Sequence, residues 1–490
     1  MSEARAPLRR VIVAGAGQIG VLAAIALKRA LPRAEVVVVG LPRDPGALAD
    51  RAATALPFTS GLHDRLGIDE NDILVRAQGS HRLVTRFFGW GGPQQSGAMP
   101  YGVGQLDPSV RSRFATEWGG GAARAAVGEA PASLADALAA AGRFGQSGEG
   151  DTAPPPGVEY ALRWHPDAYR ALLVEAAMTA GVEHVEGRLA GIEPDAAGGI
   201  AALILAGGQR LAGDLFVDCS GPSAHLLVAL PGSAIEDWST ELPLRRLILG
   251  RPGPAILALE DRLHLLPEGW RCEMAGRDGL HRMLGVGEGV TEDQALRTLG
   301  APPLAGFTLE PGCAREAWLG NVVALGDAAA RFEPLGHLNL DLAHRQLDLL
   351  LELLPGCEIE PLERAEYNRR AALMMVGVRD TLAAHYAAPA ARRVFGPPLL
   401  PPALAVAIDQ FERRGRIPFR EEGPLLSQEF QALLAALGFA RGASPQSLGL
   451  ADGERAAAEA SFRSRIEAAL SAAPPYAEWM AGVVSRARPG

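Results

Sequence analysis

The chain has 490 residues, of which 48% are hydrophobic and 21% are charged. This length predicts roughly three domain-equivalents, and the composition excludes a disordered or collagen-like chain. The net charge is −9 and no run of Lys or Arg exceeds three residues. Charge patterning therefore excludes an electrostatic surface for nucleic acid or for an anionic membrane.

The four cysteines are scattered without C-x-x-C spacing, so the sequence predicts neither a zinc site nor a redox pair. Arg9 and Arg10 followed by the apolar stretch Val11–Leu27 resemble the start of a signal peptide. The glycines and Gln18 inside that stretch, with no small-residue cleavage site after it, argue against one. We therefore expect a cytoplasmic protein that binds neither nucleic acid nor membranes and holds no metal ion.

The first predicted unit is a β–α–β arrangement. Arg10–Ala14 and Glu35–Val39 are typical of buried strands, and Val21–Leu31 between them is typical of a helix. Three glycines between the first strand and the helix have the spacing G-x-G-x-x-G, namely Gly15, Gly17 and Gly20. They predict a tight turn, close approach of the backbone to a pyrophosphate, and a helix N-terminus that faces the phosphates. The sequence therefore predicts a dinucleotide site rather than a purely structural turn.

The end of the second strand departs from this pattern. An acidic residue normally stands there and binds the adenosine ribose, but the position is occupied by Gly40. Either Asp44 in the following loop replaces that acid, or the adenosine end is held less tightly.

Two later strands predict that the dinucleotide is FAD. Asp214–Gly221 is a strand that ends in a turn of small residues, and Gly320–Ala329 is a strand that ends in Gly326 and Asp327 and continues into a helix. The Asp suits the ribityl hydroxyl groups of FAD, and Gly326 leaves room for the ribityl chain. Alternatively, Asp327 is only the N-cap of an ordinary helix. No second G-x-G-x-x-G is present for a nicotinamide cofactor, so a separate flavin reductase is expected to supply the reduced FAD.

Collinear blocks across nearly the whole chain resemble the flavin-dependent tryptophan halogenases. The blocks are Val11–Gly20, Leu66–Glu70, His81–Trp90, Trp164–Tyr169, Val217–Gly221, Asp237–Pro243, Asn321–Leu335, Glu366–Arg370 and Arg379–Tyr386. The resemblance implies an α/β fold, with a FAD-binding Rossmann-like module of the flavin monooxygenase type, an inserted substrate-side sheet and a mainly helical C-terminal portion. It also implies that reduced flavin and O2 oxidise a halide, and that a Lys presents the electrophilic halogen to the substrate.

The chain departs from the family pattern at the positions on which halogenation depends. These are Arg82 for the catalytic Lys, Gly336 for the catalytic Glu, Leu338 and Asn339 for the halide-binding Thr-Gly pair, Trp270 as the first and only intact Trp of W-x-W-x-I-P, and Ala52–Ala55 for the G-E-A-T flavin strap. Arg stays protonated and does not easily form a chloramine. The resemblance together with these losses predicts that halogenation is lost or severely impaired.

Three functions of different classes remain open. The first is a FAD-dependent oxidoreductase or monooxygenase that acts on a small aromatic, indole-like substrate, with His337 as a general base and Arg82 as an anion clamp. Alternatively, His337 is only a polar residue at a helix start and Arg82 only part of a strand or surface ion pair. The second function is a non-catalytic partner that binds a halogenase, a peptide or an indole. The third is an active halogenase with relocated catalytic residues, and a homo- or heterodimer is compatible with each.

The predicted domains are discontinuous. The FAD-binding module comprises residues 1–90, 158–230 and 315–345, and residues 91–157 form a loop or lid region around a short helix, Ser133–Ala141. Residues 231–314 form the substrate-side sheet, and residues 346–480 form a helical region that covers the substrate.

Overall fold

The computed structural model describes residues 6–51, 54–92, 95–102, 133–145, 158–443 and 452–486. The chain divides into two compact units. The first unit contains Met1–Ala77, Trp164–Ser239 and Glu310–Val378, and the second contains Gln78–Arg163, Thr240–Leu309 and Arg379–Gly490.

The helices of the described residues, in chain order, are α1 (Gln18–Ala30), α2 (Leu48–Arg51), α3 (Phe58–Arg65), α4 (Glu70–Arg76), α5 (Leu134–Ala141), α6 (Pro166–Thr179), α7 (Glu292–Leu299), α8 (Leu338–Glu352), α9 (Pro361–Ala387), α10 (Arg392–Phe395), α11 (Pro402–Arg414), α12 (Ser427–Ala436), α13 (Asp452–Ala472) and α14 (Tyr476–Arg486). The strands are β1 (Arg10–Ala14), β2 (Glu35–Gly40), β3 (Thr54–Ala55), β4 (Ser80–Arg82), β5 (Val84–Phe88), β6 (Ser96–Pro100), β7 (Ala161–Arg163), β8 (Glu183–Glu186), β9 (Leu189–Pro194), β10 (Ile200–Leu205), β11 (Arg210–Ala212), β12 (Leu215–Asp218), β13 (Ile235–Asp237), β14 (Arg246–Gly250), β15 (Glu260–Leu266), β16 (Gly269–Met274), β17 (His281–Val286), β18 (Pro303–Thr308), β19 (Gly312–Ala314), β20 (Trp318–Leu319), β21 (Val322–Ala324) and β22 (Ala330–Arg331).

The first unit is built on a six-stranded sheet with the strand order β20-β21-β12-β1-β2-β8. β1 lies at its centre and pairs in parallel with both β2 and β12. The apolar residues of β1 are fully buried, as expected for a strand that is covered on both faces. The predicted β–α–β unit is therefore present, although α1 begins at Gln18 rather than Val21 and so contains the last glycine of the motif.

The second unit contains a seven-stranded sheet with the order β18-β14-β17-β16-β15-β5-β6. Five of these strands come from the segment 231–314 that was predicted to form a sheet, and β5 joins them through parallel pairing with β15. α12 packs against β6. A Cβ on Gly97 would lie only 2.5 Å from the Ala436 Cα, so the close approach of this helix requires a glycine.

The boundaries of the units differ from the predicted domains. Residues 78–90, predicted to belong to the FAD module, lie in the second unit, because β5 is part of its sheet. Residues 346–378, predicted to belong to the helical region, lie in the first unit. Composition and motif order do not reveal strand pairing, and so these transfers were not predicted.

The predicted helix directly after Asp327 is not formed. Gly326–Ala328 is a single 3-10 turn, β22 follows it, and the next helix, α8, begins only at Leu338. Gly326 has a φ of +60°, which lies outside the right-handed helical region and redirects the chain. Asp327 is therefore not the N-cap of an ordinary helix.

The predicted helix within the 91–157 region is present as α5, with the Ser133 side chain accepting a hydrogen bond from the Asp136 amide at 3.1 Å. The rest of that loop or lid prediction falls largely on residues 93–94, 103–132 and 146–157, which lie outside the described residues, as do Ala52 and Ala53. In the part of the chain that the structure describes, no helix is both long and apolar enough to cross a membrane.

Candidate functional site

The glycine motif of the first unit forms the predicted tight turn. Gly15 has a φ of +110°, and a Cβ there would lie 2.2 Å from the Cys219 carbonyl oxygen. A Cβ on Gly20 would lie 1.9 Å from the Gly15 carbonyl oxygen. Two of the three predicted glycines are therefore required by backbone contacts at the start of α1.

Gly17 has a different environment. A Cβ built on Gly17 would lie 1.8 Å from the Asp50 Oδ2 atom, so the Asp50 carboxylate lies directly over this glycine. Burial raises the pKa of Asp50, and the nearby Ile19 and Gln18 amides and the charges of Arg43 and Arg170 oppose this shift. Backbone amides at a helix N-terminus are the groups that bind phosphate in dinucleotide sites. Asp50 was not identified from the sequence, because nothing in its local pattern marks it as a ligand of α1.

Asp327, in the turn after β21, is hydrogen-bonded to α2, the short helix that carries Asp50. Its Oδ2 atom accepts a hydrogen bond from the Ala49 amide at 2.7 Å, and the side chain is buried. Burial raises the pKa of Asp327 to about 7, with further upward influence from the charge of Asp50, while the bonds from the Ala49 amide and the Asn339 side chain oppose the shift. At neutral pH this carboxyl group therefore carries a proton in part of the molecules.

Gly326, next to Asp327, is suited to its position by its positive φ and by its close neighbours Gln346 and Ile19. Its amide donates to the Gln346 Oε1 atom at 2.9 Å, and a Cβ there would lie 3.0 Å from the Ile19 Cδ1 atom. The structure thus brings the predicted residues Gly326 and Asp327 close to the start of α1.

An acidic side chain covers the end of β2, where the sequence has Gly40. A Cβ on Gly40 would lie 2.3 Å from the Glu186 Oε2 atom. Glu186 ends the neighbouring strand β8 and pairs with Gly40 in the parallel register. Asp44, the residue considered from the sequence, instead accepts hydrogen bonds from the Gly46 amide and the Ser223 hydroxyl. The carboxylate beside Gly40 thus belongs to Glu186, which is about 146 residues later in the chain. No pattern in the sequence around Gly40 or Glu186 indicates that they are neighbours.

Arg82 lies in the second unit, on β4, and is completely buried. Its Nε donates to the Asp261 Oδ1 atom at 2.8 Å, and its Nη1 donates to the carbonyl oxygens of His81 and Ala258, each at 2.7 Å. Asp261 is also fully buried. These contacts favour the ion-pair interpretation of Arg82, although the pair is internal rather than on the surface. Its catalytic role stays a prediction.

A second buried ion pair lies near the first. Arg163 on β7 is fully buried and lies 3.3 Å from Asp278. β7 pairs with β4 so that Arg163 is opposite Ser80, on the same face as Arg82. Burial lowers the pKa of Arg163, and the neighbouring charge of Arg82 lowers it further, while Asp278 and Asp261 raise it. The Arg82 position therefore belongs to a network of paired charges.

His337 lies in the first unit, at the N-cap position of α8, and is buried. Its φ is +62°, and that of the preceding Gly336 is +71°, so two consecutive residues are left-handed. The His337 side chain makes no capping hydrogen bond to the helix. Non-glycine residues in this region are uncommon and are enriched at functional sites.

The intact tryptophan of the altered W-x-W block packs inside the second unit. Trp270 on β16 is fully buried, and its Nε1 donates to the Tyr386 hydroxyl at 3.2 Å. In the same unit, His81 stacks on Phe144 with ring centroids 4.4 Å apart, and edge-on contacts with Tyr160 and Trp479 complete an aromatic cluster.

A cavity of about 600 Å³ opens at the C-terminal end of α1, away from the glycine motif. Its lining mixes both signs of charge, including Arg29, Arg76, Asp72 and Glu175, and contains no predicted site residue. Among the described residues, no group of three His, Cys, Asp or Glu side chains is placed to hold a metal ion.

Comparisons with known proteins identify the family. A profile described as tryptophan halogenase matches residues 10–449. The chain is 25% identical over 418 residues to Tryptophan 7-halogenase RebH of Lentzea aerocolonigenes, which covers 77% of this chain and 76% of that protein. It is also 25% identical over 425 residues to Tryptophan 6-halogenase ThaL of Streptomyces albogriseolus, with the same coverage of 77% and 76%.

Solved structures agree with this assignment at the level of the fold. BrvH, a flavin-dependent halogenase from Brevundimonas sp. BAL3, superimposes with a TM-score of 0.83 at 24% identity, over 97% of this chain and 99% of that one. The Tryptophan 6-halogenase SttH of Streptomyces toxytricini gives a TM-score of 0.85 at 20% identity, over 97% and 100%. The predicted fold class, an α/β protein with a FAD-binding Rossmann-like module, is confirmed. This chain belongs to the tryptophan halogenase family.

Proposed function

We propose that this chain is a FAD-dependent oxidoreductase or monooxygenase of the tryptophan halogenase family that no longer halogenates. The observation that carries the proposal is the environment of Arg82, which occupies the position of the family's catalytic Lys. Its guanidinium group is fully buried, its Nε and Nη1 atoms are bound to Asp261 and to two carbonyl oxygens, and only Nη2 has no hydrogen-bond partner among the described residues. A guanidinium group also stays protonated and so does not easily form a chloramine, which supports the loss of the lysine's role.

Two further positions support this loss. Gly336 provides no carboxylate at the position of the family's catalytic Glu. The Asn339 side chain, at a position associated with halide binding, donates instead to the Phe332 carbonyl oxygen at 3.1 Å. The lysine, the glutamate and the halide-binding pair are therefore all replaced, which disfavours an active halogenase with relocated residues.

The residues around the glycine motif fit FAD, with one condition. Gly15 and Gly20 shape the turn that exposes the amides of α1, and Asp327 and Glu186 provide carboxyl groups suited to ribityl and ribose hydroxyls. Asp50 lies where the pyrophosphate would approach Gly17, and so it has to move before FAD binds. When bound in its reduced form, the flavin supplies the electrons that activate O2.

His337 is the residue that we propose as the general base. It is buried, holds a left-handed backbone conformation and stands directly after Gly336. The substrate that we propose is a small aromatic, indole-like molecule, which matches the tryptophan in the relatives' names. A separate flavin reductase is proposed as the electron source. The four cysteines are all free thiols, which supports a reducing, cytoplasmic location.

The first experiment is a titration of the purified chain with oxidised and reduced FAD, followed by flavin absorbance and fluorescence. We expect a Kd in the low-micromolar range or tighter, about −7 to −8 kcal/mol. The loaded protein is then supplied with a flavin reductase, NADH, bromide and a panel of indoles, and the products are identified by mass spectrometry. Oxygenated products without brominated ones are expected, whereas brominated indole at the rate of a tryptophan halogenase control would contradict the proposal.

The role of His337 is tested separately with His337→Gln. Loss of a general base lowers the rate of the oxidation step by about 10²- to 10⁴-fold, and we expect the pH dependence of that step to flatten. FAD affinity is expected to be unchanged. An unchanged rate and pH profile would show that His337 has only a structural role.

A second candidate function is a non-catalytic binding partner, and the position of Asp50 over Gly17 favours it. If that carboxylate permanently fills the phosphate position, neither redox form of FAD would bind. No binding at about 100 µM, a free energy weaker than about −5.5 kcal/mol, would favour this function.

A further inference from the structure

The segment that carries Asp50 is fixed to the proposed cofactor cradle at several points. The Gln18 side chain donates to the Ala49 carbonyl oxygen at 2.7 Å, and the Ala49 amide donates to Asp327 at 2.7 Å. The Trp164 indole in turn donates to the Gln18 Oε1 atom at 3.1 Å. α2 is thus joined to the start of α1 on one side and to the turn after β21 on the other.

The groups that Asp50 meets are those that a phosphate would require. The Asp50 carboxylate lies over Gly17, where a Cβ would be 1.8 Å from its Oδ2 atom. Burial raises the pKa of Asp50, while the nearby Ile19 and Gln18 amides and the positive charges of Arg43 and Arg170 lower it. Arg43 is also paired with Asp167 at 2.8 Å, and the Arg170 side chain donates to the Ala16 carbonyl oxygen. A carboxylate and a phosphate are both anions that accept several N–H bonds, so either can occupy a helix N-terminus.

From this geometry we infer that Asp50 is an internal occupant of the phosphate subsite, and that FAD binds only when Asp50 leaves it. The inference rests on the proposed function, because it concerns the same cofactor. Binding then has an extra free-energy cost, equal to that of displacing the Asp50 carboxylate from its position over Gly17. The apparent affinity is lowered by the fraction of molecules in which the subsite is open.

The substitutions Asp50→Ala and Asp50→Asn test this inference. Each removes the competing charge, and with an open fraction near one tenth we expect FAD to bind about tenfold more tightly than to the unaltered chain. Asp64→Asn is the matched control, because it removes one exposed carboxylate from α3 in the same unit without contacting Gly17. It is expected to leave the FAD affinity unchanged.

Acidification gives a second readout. Protonation of Asp50 removes its charge and weakens its hold on the amides, so FAD affinity is expected to rise as the pH falls in the unaltered chain. The neighbouring acids Asp327 and Asp44 and the thiol of Cys219 also face this region. The informative quantity is therefore the difference in pH dependence between the unaltered chain and Asp50→Asn, and not the absolute slope.

Hydrogen exchange of the Gln18 and Ile19 backbone amides, measured without FAD, shows whether Asp50 protects these amides and does not depend on flavin binding. We expect faster exchange in Asp50→Ala than in the unaltered chain or in Asp64→Asn. Equal exchange, or FAD affinity that is equal or weaker in both Asp50 variants, would overturn the inference alone and leave the flavoprotein proposal standing. If no form of the protein binds FAD, the proposed function fails, and the inferred role of Asp50 in cofactor binding fails with it.

Discussion

At the scale of single residues, Arg82 has a defined set of contacts at the position that the sequence resemblance assigns to the family's catalytic Lys. Its planar guanidinium group donates in several directions at once, to one carboxylate and to two carbonyl oxygens. A Lys ammonium has fewer and differently directed donors and does not reproduce this pattern. The replacement itself was visible in the sequence, but Asp261, its partner, was not, because the two residues meet only through the pairing of β5 with β15.

The substitution Arg82→Met is expected to destabilise the protein by about 3–5 kcal/mol, because it leaves the Asp261 carboxylate buried without its counterion. Replacing both residues, as Arg82→Met with Asp261→Leu, is expected to recover most of that loss. The free energy of unfolding from urea denaturation measures both effects. Arg262→Met is the control, since Arg262 is half-exposed in its pair with Glu260 and such pairs contribute about 1 kcal/mol or less. Equal effects at positions 82 and 262 would contradict the expectation.

Asp327 makes a second residue-scale prediction, in this case about pH. Its pKa is raised to about 7 in the folded protein, against 3.8 for the ordinary carboxyl group. Between these values the folded state retains the proton and the unfolded state loses it, so the contribution of Asp327 to stability falls as the pH rises from about 4 to about 7. Asp327→Asn removes this pH dependence, which amounts to a change in the free energy of unfolding of up to about 4 kcal/mol.

The measurement is the free energy of unfolding of the unaltered chain and of Asp327→Asn at pH 4 and at pH 8. We expect the variant to gain stability relative to the unaltered chain at the higher pH. A difference that is the same at both pH values would show that the Asp327 carboxyl group ionises in the folded protein as it does in the unfolded chain.

At the scale of secondary-structure elements, the first unit was predictable where the signal is local. The glycine spacing and the apolar runs were sufficient for β1, α1 and β2, because each run is long enough to show its period. They were not sufficient for the turn at Gly326, because a Gly-Asp pair before an Ala-rich stretch is compatible with either a helix or a 3-10 turn. They were also not sufficient for Glu186, which reaches the end of β2 only through the register of β8.

The position of the Glu186 carboxylate beside Gly40, at the end of β2, predicts that Glu186 contributes to binding of the adenosine half of FAD. A hydrogen bond to a charged group contributes about 1.5–3 kcal/mol, so Glu186→Gln is expected to weaken FAD binding by about tenfold or more. Binding of FMN, which has no adenosine, is expected to change little. Glu183→Gln, at the other end of the same strand and also exposed, is the control. Equal losses for FAD and FMN would indicate that Glu186 acts elsewhere.

At the scale of the whole molecule, the chain combines the fold of its family with different residues at the positions that were predicted to be reactive. The family profile covers residues 10–449, whereas the positions predicted to correspond to the family's lysine, glutamate and halide-binding pair hold other residues. Sequence comparison identifies the family, while the replacement of the reactive positions stays a prediction. It did not reveal that the replacement at position 82 has become part of the buried charge network around Arg163 and Asp278, which depends on three-dimensional packing.

We expect that the combined substitutions Arg82→Lys and Gly336→Glu do not restore halogenation. The new Lys would lie beside the buried Asp261, and Leu338 and Asn339 would still provide no halide site. Bromide incorporation into tryptophan, followed by mass spectrometry with RebH of Lentzea aerocolonigenes as the positive control, measures the outcome. Brominated tryptophan above the level of the unaltered chain would show that the retained scaffold is sufficient for the reaction.

The consecutive left-handed residues Gly336 and His337 give position 336 a backbone conformation that suits glycine and disfavours the glutamate expected there from the family pattern. A glycine at φ +71° adopts this conformation without cost. A glutamate introduced there would keep the same dihedral angles at a cost of roughly 1–2 kcal/mol, and it would bring no benefit until the lysine and the halide site had also returned. On the proposed function, a Gly336→Glu change would therefore lower stability without bringing activity, so the backbone at this position disfavours halogenation in addition to the side chains.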